Sequence, residues 1–95
     1  MNLILDFGNS LTKYFFVNDD KILERGSFPS SKFDQNILDI KSKQDTEKLI
    51  YSSVINIKRK QLSDVFNNTM IISLKDKDLS FLVICLQYII SQQRT

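Results

Sequence analysis

Within eight residues, Asp6-Phe7-Gly8-Asn9-Ser10-Leu11-Thr12-Lys13, the chain gathers a carboxylate, a glycine, two small polar side chains and an amine. Such a set suits an anionic ligand. Gly8 permits a positive φ and a close backbone approach. Asn9 and Ser10 can turn amides and side chains toward phosphate oxygens, and Lys13 can reach the same anion as a point charge. Asp6 can hold a hydrated Mg²⁺, which takes few carboxylates and fills its shell with water and phosphate oxygens. Positioning and charge neutralisation of this kind are what phosphoryl transfer requires. The same stretch is also a good hairpin turn with no ligand at all.

Strands must flank this loop if it is to be held in place. Leu3-Ile4-Leu5 is a short apolar run closed by Asp6 and Gly8, the pattern of a buried strand meeting a turn. Leu11 to Val17, rich in aromatic and β-branched residues, predicts a second strand, and the Asn18-Asp19-Asp20 turn cluster joins it to a third over Lys21 to Phe28. Pro29-Ser30-Ser31 is expected to break that strand and to offer a helix N-cap. Phe33, Ile37 and Ile40 then recur at helical spacing, with Asp34 in the first turn. Leu49 to Val54 predicts a fourth strand and Met70 to Leu74 a fifth. Between them, Lys58 to Asn67 places Leu62, Val65 and Phe66 on one helical stripe. Asp78 to Gln92 is apolar enough for a last helix. The order β-β-β-α-β-α-β-(α) predicts an α/β chain with a mixed sheet covered by helices. It is the order of the ribonuclease-H-like half-domain found in actin and the sugar kinases, here one domain over residues 1–95.

Composition narrows the chemistry. The chain has 95 residues, one cysteine and no histidine, so any acid–base or metal chemistry must use carboxylates, lysines or backbone. Cys85 lies in an apolar run and reads as a buried, inert thiol. A formal net charge of +2 is too small to argue for nucleic acid or an anionic membrane. The N-terminal apolar run is interrupted by Asp6 and has no basic leader, and the longest apolar stretch is far below a membrane span. The expected location is the cytoplasm.

Met1 to Lys13 is similar to the opening of type III pantothenate kinases, which begin with an apolar strand followed by Asp-x-Gly-Asn-Thr-x-x-Lys or Arg. Ser10 stands here for the usual Thr and keeps the hydroxyl. Tyr51-Ser52-Ser53-Val54 resembles the Ser-Ser-Val segment that ends the family's fourth strand. The resemblance covers residues 1 to about 74. It implies ATP-dependent phosphorylation of pantothenate in coenzyme A synthesis, an actin-like fold of two half-domains, Mg²⁺ with ATP, a monovalent cation (K⁺ or NH₄⁺) and a homodimer. It implies that Asp6 is the metal-side carboxylate and that Gly8, Asn9, Ser10 and Lys13 form the first phosphate loop.

The chain departs from the family in several ways. Members are much longer and carry Tyr-x-Thr-Pro-x-Thr-Leu-Gly and Gly-x-Asp-Arg segments, the latter supplying the catalytic base, and neither occurs here. The second phosphate loop is also missing, and residues 79–95 look unlike the family. A truncated or frameshifted reading frame, inactive alone, is therefore expected. A non-catalytic nucleotide-binding or interaction module of the actin-like fold is the alternative reading. A ribonuclease-H-like nuclease is the weaker one, because it needs several carboxylates around two metals and the fourth strand ends in Ser52-Ser53. Lys58-Arg59-Lys60 reads as a solvated face, Asp19 and Asp20 as turn residues, and Phe15, Phe16, Phe28 and Phe33 as core. Residues 81–90, apolar nearly all round as a helix, predict burial against a second copy and hence self-association.

Overall fold

The computed structural model describes residues 1–19, 21–53 and 59–73. Five strands form one mixed sheet: β1 (Asn2–Phe7), β2 (Leu11–Asn18), β3 (Lys21–Pro29), β4 (Lys48–Ser53) and β5 (Met70–Ser73), in the spatial order β3-β2-β1-β4-β5. β1 pairs antiparallel with β2 and parallel with β4, and β4 pairs parallel with β5. The helices are α1 (Phe33–Lys43) and α2 (Arg59–Val65), and a 3-10 turn at Ser30–Lys32 precedes α1. The expected element order is therefore observed through β5. The expected helix at 78–92, Cys85, Lys58, Asp20 and the 79–95 tail lie outside the described residues.

Alternation along the strands sorts side chains to two faces. Leu3, Leu5 and Phe7 of β1, Phe16 of β2, Phe28 of β3, and Leu49 and Tyr51 of β4 join Ile37 and Ile40 of α1, Leu62 of α2 and Phe66 just after it in one buried cluster. Phe33 meets Phe7 edge-on at 5.3 Å between ring centroids, and Tyr51 meets it at 6.5 Å. Each fully buried Leu, Ile or Phe contributes roughly 1.5–3 kcal/mol, so this helix-covered layer is the main source of stability. Both helices lie on this face. The opposite face is apolar as well: Ile4, Val17 and Ile50 have no exposed surface, and Asn2 beside them is buried with its Oδ1 unpartnered.

Two local expectations change, and one irregularity of register appears. β3 continues through Pro29 as its last residue, because an edge strand tolerates a missing N–H there. α1 starts from Lys32 with no side-chain cap, since Ser30 is turned into the fold and bonds elsewhere. Leu23 has no partner on β2 because the register shifts between Phe16 and Val17, which leaves it exposed. At the Asn18–Lys21 hairpin, Asp19 takes φ 56°, a turn conformation that Asp tolerates. Among the described residues, no helix is long and apolar enough to cross a membrane.

Gly26 has a packing reason. It faces Tyr14 across the β2–β3 pair, and a Cβ there would lie 2.5 Å from the tyrosine ring. The ring lies over the bare backbone and reaches Glu24, which pairs with Lys43 of α1 at 3.4 Å. The Glu24 carboxylate raises the Lys43 amine above its usual range, but a pair this exposed adds little to stability. Gly26→Ala should therefore destabilise the domain by roughly 1–3 kcal/mol through overpacking. Urea denaturation should show a smaller cost in a Tyr14→Ala background; an equal cost in both would mean that ring and glycine do not compete for space.

Candidate functional site

The loop between β1 and β2 is closed by one backbone bond, Gly8 N–H donating to Leu11 O at 3.0 Å. The same approach explains the glycine, because a Cβ on Gly8 would lie 2.7 Å from that carbonyl oxygen. The expectation of a positive φ at Gly8 is corrected: no described glycine has one, and the residue is needed for closeness alone. Its amide is also committed to the hairpin, which removes it as a free donor to an anion. Asn9 and Ser10 form the exposed tip, and among the described residues their amides have no partner.

The carbonyls of Gly8 and Ser10 are tied to the strand-to-helix connection after β3. Ser30 N–H donates to Ser10 O at 3.0 Å, and Ser30 Oγ donates to Gly8 O at 2.7 Å. Ser30 Oγ also lies 2.8 Å from Thr12 Oγ1 in a buried contact. A hydroxyl carries one proton. Since Ser30 spends its proton on Gly8 O, Thr12 must donate to Ser30. The result is a short chain, Thr12 to Ser30 to Gly8, that braces the loop and engages the Gly8 carbonyl.

Asp6 and Lys13 are direct cross-strand partners, and Asp6 is also in register with Ser52 on β4. Ser27 of β3 lies opposite Lys13. Opposed residues have Cβ atoms about 5 Å apart, so Ser27, Lys13, Asp6 and Ser52 form a polar row across four strands at the C-terminal end of β1. The row is on the face opposite the helices. Asp6 and Ser52 are half-buried, whereas Lys13 and Ser27 are exposed. Among the described residues no ion pair within 4 Å engages Asp6 or Lys13. One half-buried carboxylate beside a hydroxyl fits a magnesium ion that keeps most of its water. No described cluster of three or more His, Cys, Asp or Glu side chains is placed to hold a metal by protein ligands alone.

Four of the five expected site residues, Asp6, Asn9, Ser10 and Lys13, thus lie at one end of the sheet, and Gly8 acts structurally. Ser27, Thr12 and Ser30 were not singled out by the sequence. Only strand register places Ser27, and the composition that makes Ser30 resemble a helix cap hides its bond to Gly8. Lys60 and Arg59 are exposed, and Arg59 Nη2 donates to Ile71 O at 2.7 Å, in keeping with a solvated basic face. A scan of protein-family models finds no match to the chain, and a search of curated proteins finds no match either.

Ser30→Ala removes the donor to Gly8 O and the acceptor of the buried Thr12 hydroxyl. It should cost roughly 1–3 kcal/mol and speed amide exchange at Asn9 and Ser10. Thr12→Val, which leaves the Ser30–Gly8 bond intact, should affect exchange at the tip less. Unchanged exchange in Ser30→Ala would show that the loop holds its shape without the brace.

Proposed function

We propose that the Asp6–Lys13 hairpin binds the phosphates of a nucleotide, and that the chain is related to type III pantothenate kinases with the strand order of a ribonuclease-H-like half-domain. The register that sets Asp6 between Lys13 and Ser52 at the mouth of the loop carries this reading. It brings a cation, a carboxylate and a hydroxyl to the end of the sheet from which the Asn9–Ser10 tip projects, and among the described residues the tip amides have no partner. Phosphoryl transfer depends on holding charge in place more than on covalent help from the protein. The sheet order, with β2 alone running against the others, supports the fold assignment.

In this reading Lys13 neutralises phosphate charge, the Asn9 and Ser10 amides and the Ser10 hydroxyl orient the oxygens, and Asp6 holds Mg²⁺ through water. Held there, such an ion would supply positive charge to offset that of the phosphates. Pantothenate is the acceptor that the resemblance implies, with K⁺ or NH₄⁺ and a second copy as further partners; no residue of this chain is assigned as the base. The nuclease alternative is disfavoured because the residue in register with Asp6 on β4 is a serine, where a two-metal site would want a carboxylate.

Isothermal titration with ATP and Mg²⁺ tests the site. A charged hydrogen bond contributes roughly 1.5–3 kcal/mol, so Lys13→Ala should weaken binding about ten-fold or more. Asp6→Ala should remove the dependence on Mg²⁺. Unchanged ATP affinity in Lys13→Ala would overturn the assignment.

A further inference from the structure

The connections that follow the two helices run side by side at the end of the sheet away from the hairpin loop. α1 leads through residues 44–47 into β4, and α2 leads through residues 66–69 into β5. Lys48 and Met70, the first residues of these parallel strands, are in register. The two connections are laced together: Thr69 Oγ1 donates to Thr46 O at 2.9 Å, and the Met70 N–H donates to Glu47 O at 3.1 Å. The Phe66 N–H donates to Leu62 O at 2.8 Å and so ties the second connection to the end of α2. A cleft of about 330 Å³ lies here, at the small end of ligand pockets, which span roughly 300–1,000 Å³. The six residues of β1 separate it from the Asn9–Ser10 tip by about 20 Å.

We propose that this cleft binds a small zwitterion, a free α-amino acid. Its lining carries one cation, Lys41, and one anion, Asp45, and among the described residues neither is in an ion pair within 4 Å. A ligand with a single charge would leave one of them unmatched and would be repelled by the other. A molecule with both a carboxylate and an ammonium meets both. α1 ends at Lys43, and the partial negative charge of its C-terminus adds to that of Asp45, which favours the ammonium at that side. Gln44, Asn67 and Asn68 add three carboxamides to the lining. Each can donate and accept, so they can serve either charged group of the ligand and a polar side chain as well. Gln44, Asp45, Asn67 and Asn68 all project from the laced connections, so the cleft is formed before a ligand arrives and the ordering cost on binding is small. The site shares no residue with the phosphate hairpin, and it stands or falls independently of nucleotide binding.

Amide-resolved NMR titration of the full chain tests the proposal, with L-serine, L-asparagine and L-glutamine as probes. At least one of them should move the backbone amides of Gln44, Asp45, Asn67 and Asn68 and leave those of Asn9 and Ser10 in place. The N-acetyl derivative of that amino acid lacks the ammonium, and its α-amide lacks the carboxylate. An exposed charge pair contributes modestly, so each derivative should bind about five-fold more weakly than the free amino acid. Lys41→Ala should erase the difference between the amino acid and its α-amide, and Asp45→Ala the difference between the amino acid and its N-acetyl derivative. Both side chains are exposed, so neither substitution threatens the fold. Equal binding of the three forms would overturn the proposal. So would the absence of any shift at the cleft with all three amino acids at about 50 mM, a concentration that saturates a millimolar site.

Discussion

The register of β1 is the constraint on which the rest depends. This strand is central, with β2 on one side and β4 on the other, and both its faces are closed. Leu3, Leu5 and Phe7 supply one layer; Ile4 supplies the floor of the other. A slip of one residue would drive Asp6 into the helix-covered core and turn Phe7 outward. Burying an unpaired carboxylate costs several kcal/mol, so the hydrophobic alternation that stabilises the fold also decides where the charge of the site emerges. The same pairing places Lys13 and Ser52 beside it without any interaction among the three side chains being needed.

A second level of control acts on the loop itself. A hairpin closed by the single bond from Gly8 to Leu11 would be free to move its tip. Here the carbonyls of Gly8 and Ser10 are both held by Ser30, and Thr12 completes the buried chain from below. Two carbonyls that would repel an anion, those of Gly8 and Ser10, are thereby engaged, and among the described residues the Asn9 and Ser10 amides have no partner. Such preorganisation reduces the ordering cost on binding. It also explains why a buried serine at the end of β3 is worth more to this loop than it would be as a cap on α1.

Much of the architecture is legible in the sequence. The strands announce themselves through β-branched and aromatic runs bounded by turn residues, and α1 and α2 through Phe33, Ile37 and Ile40 and through Leu62, Val65 and Phe66. Local pattern carries these because each element buries its own face. What is not legible comes from contacts between distant segments. Ser30 looks like a cap until β3 is paired with β2 and brings it under Gly8. Gly26 looks like a weak point in a strand until Tyr14 is laid across it. Gly8 suggests a positive φ by its type, whereas the space beside Leu11 O is what it supplies. The site is legible in its residue types, and its row from Ser27 to Ser52 only once the register is known.

The gradient of burial along that row has an electrostatic consequence. Lys13 is exposed, so its attraction for an anion acts through a high effective dielectric and is screened by salt. The amides of Asn9 and Ser10 are fixed in direction by the brace, and Asp6 stands half-buried above the apolar floor of Ile4. In the proposed reading the lysine would contribute charge that draws an anion in, while geometry would be set by the braced backbone. If the hairpin binds phosphates as proposed, such an arrangement would select for the shape of a phosphate chain more strongly than for its total charge.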